Sequence, residues 1–153
     1  MADSSALAPD LHASVPFVDH LGFELIDVGA GHCTLGAAVR PELTNRWGVA
    51  HGGLLMTLLD VAMARAARSP ARPDGPPQRS VVTVEMKTSF MRPGSGALRA
   101  HGRRLHQTAT LAFCDAEVRD GAGHLVAHAT GTFKYLRALP VGTRVQLPDD
   151  PGD

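Results

Sequence analysis

From Gly52 to Arg68 the chain reads Gly-Gly-Leu-Leu-Met-Thr-Leu-Leu-Asp-Val-Ala-Met-Ala-Arg-Ala-Ala-Arg, and no other stretch limits the fold as much. Leu54, Leu55, Leu58, Leu59, Ala62 and Met63 recur at three- and four-residue spacing. Neither Pro nor Gly interrupts them after Gly53, which is the periodicity of an α-helix. Met56, Val61 and Ala64 widen the apolar face until little of the helix is left for water. A helix apolar on nearly all sides has to be buried, with the remainder of the chain wrapping one side and something else the other.

That remainder is mostly strand-like. Residues 15–21 predict a short helix that ends before Gly22. Residues 23–28 and 32–39 predict the two arms of a hairpin turning at Gly29-Ala30-Gly31. Pro41, which has no ladder donor, closes the second arm. A Pro-rich surface loop over 69–78 then leads to four further strand-like runs: 80–91, 97–106, 108–119 and 124–136. In the first of these, Val82, Val84 and Met86 alternate with Thr83, Glu85 and Lys87, which predicts that the apolar three share the covered face of a sheet. Residues 1–14 read as a flexible leader, 15–139 as a single domain with one core, and 140–153 as a flexible tail. The order of hairpin, long helix and four antiparallel strands is an α+β arrangement. A sheet covers one side of the helix, and a second copy of the protein is the candidate cover for the other.

Composition removes several function classes. The formal net charge is zero, which argues against a dedicated nucleic-acid binder. All 15 Lys and Arg lie between Arg40 and Arg144, so the central segment is basic, either as a solvated face or as a seat for a phosphorylated ligand. Residues 1–22 carry neither the positive start nor the apolar run of a secretory signal. No segment approaches the roughly 18 apolar residues that span a bilayer, so a cytoplasmic protein with no membrane contact is expected. Cys33 and Cys114 sit in alternating contexts and are expected as buried free thiols. His124 and His128 would lie about 13 Å apart along a strand, too far for one ion, and with no Cys/His cluster elsewhere no metal is expected.

The chemistry concentrates around Asn45-Arg-Trp-Gly-Val-Ala-His51-Gly52-Gly53. Glycines opening a helix leave backbone N–H groups unobstructed at the positive end of the helix dipole. Asp60 then places one carboxylate in the apolar run, costly unless it is paired or used. The pair suggests an oxyanion site and an acid/base or nucleophilic carboxylate. The bland alternatives are a structural Asp60 capping a loop and glycines that only ease the chain into the helix. Gly52 and Asp60 are eight residues apart on one helix, about 12 Å at 1.5 Å per residue. One carbonyl group cannot touch both. If they serve one reaction, the two groups must come from different subunits, as an antiparallel pair of these helices about a two-fold axis would supply.

With Val82-Thr-Val-Glu-Met-Lys-Thr-Ser-Phe-Met-Arg-Pro93, these residues resemble the hotdog-fold acyl-CoA thioesterases. The likeness is strongest to the phenylacetate-pathway branch of the 4-hydroxybenzoyl-CoA thioesterase superfamily, and it covers roughly residues 18–136. It implies a curved antiparallel sheet around one central helix, hydrolysis of an acyl-CoA to a free acid and CoA with no other cofactor, and a homodimer or a tetramer built as a dimer of dimers. It further implies Asp60 as general base or nucleophile, the Gly52 N–H as oxyanion donor, Asn45 holding the water or the substrate carbonyl, His51 positioning the loop, and Thr83 supporting the attacking water. Gly53 and Trp47 are candidates for contact with substrate, Trp47 equally for packing under its loop, and Lys87 and Arg92 for the CoA phosphates or for ordinary surface charge. Relatives often carry a glycine between the fourth and fifth strands, near the CoA arm, where this chain has Gln107-Thr108. Two other functions fit the same fold: a hydratase or dehydratase, whose usual His-plus-acid motif is missing, and a non-catalytic acyl-CoA sensor, which usually carries an added DNA-binding segment.

Overall fold

The computed structural model describes residues 14–72, 75 and 80–136. The expected leader, apart from Ser14, and the expected tail lie outside the described residues. Pro16 starts a short helix, α1 (Pro16–Leu21), which Gly22 ends in the left-handed conformation at φ 72°. The hairpin follows as β1 (Glu24–Gly29) and β2 (His32–Ala38). Its two-residue turn has Ala30 at φ 39° and Gly31 at φ 85°, the twist that suits paired strands. The long helix is α2 (Gly52–Arg68), and β3 (Val81–Phe90), β4 (Ala97–Gln107), β5 (Leu111–Arg119) and β6 (Leu125–Tyr135) complete the chain. All six strands form one antiparallel sheet in the order β1-β2-β4-β5-β6-β3. It curls around α2, the α+β hotdog arrangement that the resemblance implies.

The closeness of helix and sheet has a residue-level cause. A Cβ on Gly102 of β4 would stand 2.4 Å from the Ala62 carbonyl oxygen of α2, so only glycine lets the strand lie against the helix backbone. The far end of α2 is pinned by side chains. Arg104 donates through Nη1 to the carbonyls of Ala67 (3.1 Å) and Ser69 (2.8 Å), and the Tyr135 hydroxyl donates to Ala67 (2.8 Å). These groups satisfy carbonyls that a helix C-terminus leaves open. Cys33 and Cys114 are buried free thiols, their pKa values pushed up to about 12 by burial.

One sequence expectation is met and two need correction. As expected, the sheet covers one side of α2: Leu58, Leu59, Ala62, Met63 and Ala66 are buried under it, while Met56 is 40% exposed and Thr57, Asp60, Val61 and Ala64 are half-buried. One curled sheet covers one face of a helix and leaves the opposite face open in the single chain. On β3, Val82 and Val84 are exposed rather than covered. A bulge between Thr83 and Glu85 resets the alternation, so that Thr83 pairs with the buried Phe133 and Glu85 with Thr132. A bulge inserts one unpaired residue and switches the face on which the next residues of the strand lie. Finally, β5 begins at Leu111, because the Thr108 hydroxyl accepts the N–H groups of Thr110 and Leu111 and holds those residues in a turn. No helix among the described residues is long and apolar enough to cross a membrane.

Candidate active site

His51 stands at the N-cap of α2 in extended backbone conformation, φ −61° and ψ 139°. Its Nδ1 accepts the Gly53 N–H at 2.9 Å. The lone pair on Nδ1 is therefore occupied, and the ring proton of the neutral imidazole sits on Nε2. A Cβ on Gly53 would come within 3.1 Å of that Nδ1, so glycine gives the ring its place. The Gly52 N–H, by contrast, meets no acceptor among the described residues. It is an open donor at the positive end of a 17-residue helix. A Cβ on Gly52 would stand 3.6 Å from the Phe90 ring, ordinary contact, so neither crowding nor backbone strain within the chain demands glycine there.

Gly52 opens onto a cavity of about 470 Å³ that also reaches Asn45, Trp47 and Arg92. The Asn45 Oδ1 accepts the backbone N–H groups of Trp47 (2.9 Å) and Val49 (3.4 Å), which shapes the loop ahead of the helix. With Oδ1 occupied, Asn45 has its Nδ2 donors to offer the cavity. Trp47 is 75% exposed, with Arg46 over its ring at 5.2 Å, so it does not pack under its loop. Arg92 donates to the Leu125 carbonyl at 3.1 Å from the cavity rim. Lys87 is exposed on β3 and lines neither this cavity nor the two beside Asp60 and His51.

Asp60 and Thr83 lie in a second cavity of about 400 Å³, with Met56, Thr57, Val61 and Met86 around them. The Thr83 hydroxyl donates to Asp60 Oδ1 at 2.8 Å. The other carboxylate oxygen is free of protein donors among the described residues. Burial raises the Asp60 pKa above the ordinary aspartate value, and the Thr83 hydrogen bond partly opposes that rise. His51 and Gly53 face a third space of about 190 Å³. Within one chain, then, the open N–H and the carboxylate occupy separate cavities along the same helix.

The thioesterase superfamily model matches residues 48–127, the segment that carries His51-Gly52-Gly53, α2 and the strands β3 to β5. The chain belongs to the thioesterase superfamily. Among solved structures, a conserved protein of Pseudomonas aeruginosa superposes with a TM-score of 0.74 at 34% identity, over 84% of this chain and 99% of the other. A variant of the phenylacetic acid degradation protein PaaI from Thermus thermophilus does so at 0.69 and 30% identity, over 80% and 100%. The PaaI protein of the E. coli phenylacetic acid degradation operon superposes at 0.73 with 24% identity, over 80% and 86%, and shares the fold.

In this thioesterase-superfamily chain the sequence reading missed the cavity walls. Phe90 at the end of β3 and Met91 just after it line the Gly52 cavity, and Phe17 reaches the Asp60 cavity from α1. For Phe17 and Met91 no local signal exists, since each reads as an ordinary apolar residue until the tertiary fold sets it beside α2. Thr57, three residues before Asp60 on a helix, was legible from spacing alone.

Proposed function

We propose that the protein hydrolyses acyl-CoA thioesters at sites shared between two protomers. In this reading the Gly52 N–H and Asn45 Nδ2 of one chain receive the thioester oxygen, and Asp60 of the other supplies the carboxylate. The observation that carries it is the unpartnered Gly52 N–H in one cavity with Asp60 and its free carboxylate oxygen in another, about 12 Å along one helix. Antiparallel docking of the open α2 faces about a two-fold axis would bring the two cavities together twice. It would also cover Met56 and Val61.

Asp60 is held by Thr83 through Oδ1, which leaves Oδ2 for the reaction. As general base it takes a proton from water while the water oxygen bonds to the carbonyl carbon. The carbonyl π electrons move to oxygen, where the α2 N-terminus stabilises the charge. Collapse breaks the C–S bond, and the departing thiolate takes the proton back from Asp60. As nucleophile, Oδ2 itself bonds to the carbonyl carbon, expels the thiolate and leaves an anhydride that water opens. Rapid quench with mass analysis separates the two, since only the anhydride route adds the mass of the acyl group to Asp60. Neither route requires a cofactor beyond the CoA that the substrate carries. A panel of acyl-CoA esters assayed for thiol release tests the proposal, with Asp60→Asn as control. That variant should lose about 10²–10⁴-fold in kcat, as when a general base is lost. Release from no ester, or a variant retaining a tenth or more of the rate, would refute it.

A further inference from the structure

Phe17 is 60% exposed, an unusual position for a large aromatic ring that sits on the body of the domain. It lines two cavities at once: the Asp60 cavity of about 400 Å³ and the neighbouring space of about 190 Å³ near the start of α2. Thr57 also borders both. The Thr57 hydroxyl donates to the Gly53 carbonyl at 2.8 Å, so it has no free proton to offer a ligand. The ring of Phe17 and the side chain of Thr57 therefore divide what would otherwise be one trough along α2.

The walls on each side indicate what such a trough would hold. Around Asp60 they are apolar, with Val15, Val18, Met56, Val61 and Met86. Past Phe17 come Leu21, Leu43 and Leu54, with Glu42, Thr44 and His51 as polar neighbours. Thr44 donates to the Pro41 carbonyl at 2.7 Å, His51 Nδ1 holds the Gly53 N–H, and Glu42 is bonded to Arg40 at 2.8 Å. In such a lining the Glu42 carboxylate opposes a second acid group, and the three leucines give an acyl chain apolar contact. A plain hydrocarbon chain suits it.

We infer that Phe17 is a specificity-determining residue: it closes the acyl trough one helical turn beyond Asp60 and sets the longest straight, uncharged acyl chain that the enzyme accepts. This rests on the thioesterase reading above, with the reacting carbonyl at Asp60. The stretch past Phe17 runs from Thr57 to Gly53, one turn or about 5.4 Å. An extended chain advances about 1.2 Å per bond, so that length holds about four more carbons.

The test is kcat/KM over a series of saturated straight-chain acyl-CoA esters. In the wild type, each methylene accommodated should raise kcat/KM about fourfold, the equivalent of about 0.8 kcal/mol, until the rise stops at Phe17. In Phe17→Ala the rise should continue for about four more carbons. Adding Leu43→Phe to that variant refills the space beyond and should bring the limit back. Because Phe17 is largely exposed, its truncation should leave folding intact, which thermal unfolding checks. An unchanged chain-length limit in a folded Phe17→Ala protein overturns the inference, as does a shift that Leu43→Phe leaves in place. Loss of oligomeric assembly by sedimentation, with activity lost at every length, also overturns it and assigns Phe17 to the subunit interface. Hydrolysis only of esters with acyl groups other than straight chains overturns this inference and leaves the thioesterase reading standing. Hydrolysis of no ester overturns both.

Discussion

If the active site is shared, two inactive proteins should restore each other when mixed as subunits. One parent carries Asp60→Asn, which keeps an oxygen to accept the 2.8 Å Thr83 hydrogen bond while removing the base. The other carries Gly52→Pro. The structure favours this choice because Gly52 is the first residue of α2 and its N–H is open. Proline is preferred at that position and needs no donor there. It also restricts the preceding residue to extended conformations, and His51 is already extended, at φ −61° and ψ 139°. Loss of an oxyanion donor lowers kcat by about 10²–10³, and loss of the base by about 10²–10⁴, so each parent is nearly silent. In a mixed dimer one site receives both damaged groups and the other both intact ones. Random assortment makes about half the dimers mixed, each with one working site, which predicts recovery to about a quarter of the wild-type rate. Co-expression with two affinity tags isolates the mixed species, for which thiol release should reach about half the wild-type rate per dimer. Purified mixed dimers as silent as their parents would refute the shared geometry, provided that both variants unfold near the wild-type temperature.

Asp60 must be ionised to act, so kcat/KM should fall as pH drops through its folded pKa, which burial holds above the ordinary 3.8. Thr83→Val removes the hydrogen bond that opposes this rise, so the acidic limb of the pH profile should move to higher pH; an unmoved limb would remove Asp60 from that titration. The same sign applies to stability: ionised Asp60 opposes folding above its raised pKa, a penalty that fades as pH falls towards 3.8, so Asp60→Asn should unfold no earlier than wild type at neutral pH. His51→Ala should lower stability by about 1 kcal/mol in denaturant titration through loss of the N-cap, and His51→Asn should restore most of it; a catalytic loss as deep as that of Asp60→Asn in a folded His51→Ala would instead make His51 part of the chemistry. Gly102→Ala forces a methyl to 2.4 Å from the Ala62 carbonyl oxygen, and should destabilise by about 3 kcal/mol or more.

The α2 helix was legible from residues alone because its signals are local. Apolar spacing of three and four and the absence of Pro or Gly after Gly53 act within one or two turns, and the observed span Gly52–Arg68 coincides with the expected one. The separation of Gly52 from Asp60 followed from helical rise, which no partner alters. Strands were legible as runs, but their faces were not. The alternation in Val82–Lys87 predicted a covered Val82 and Val84, and the bulge opposite Phe133 and Thr132 reversed that outcome. A bulge answers to the strand beside it, here β6, some 50 residues away in the chain. The Thr83–Asp60 hydrogen bond and the position of Phe17 between two cavities have the same origin. Sequence periodicity determined which segments are helix or strand, because each segment's own backbone enforces it. Tertiary packing decided which side chains meet across segments, because contacts between distant residues depend on how the sheet curls around α2.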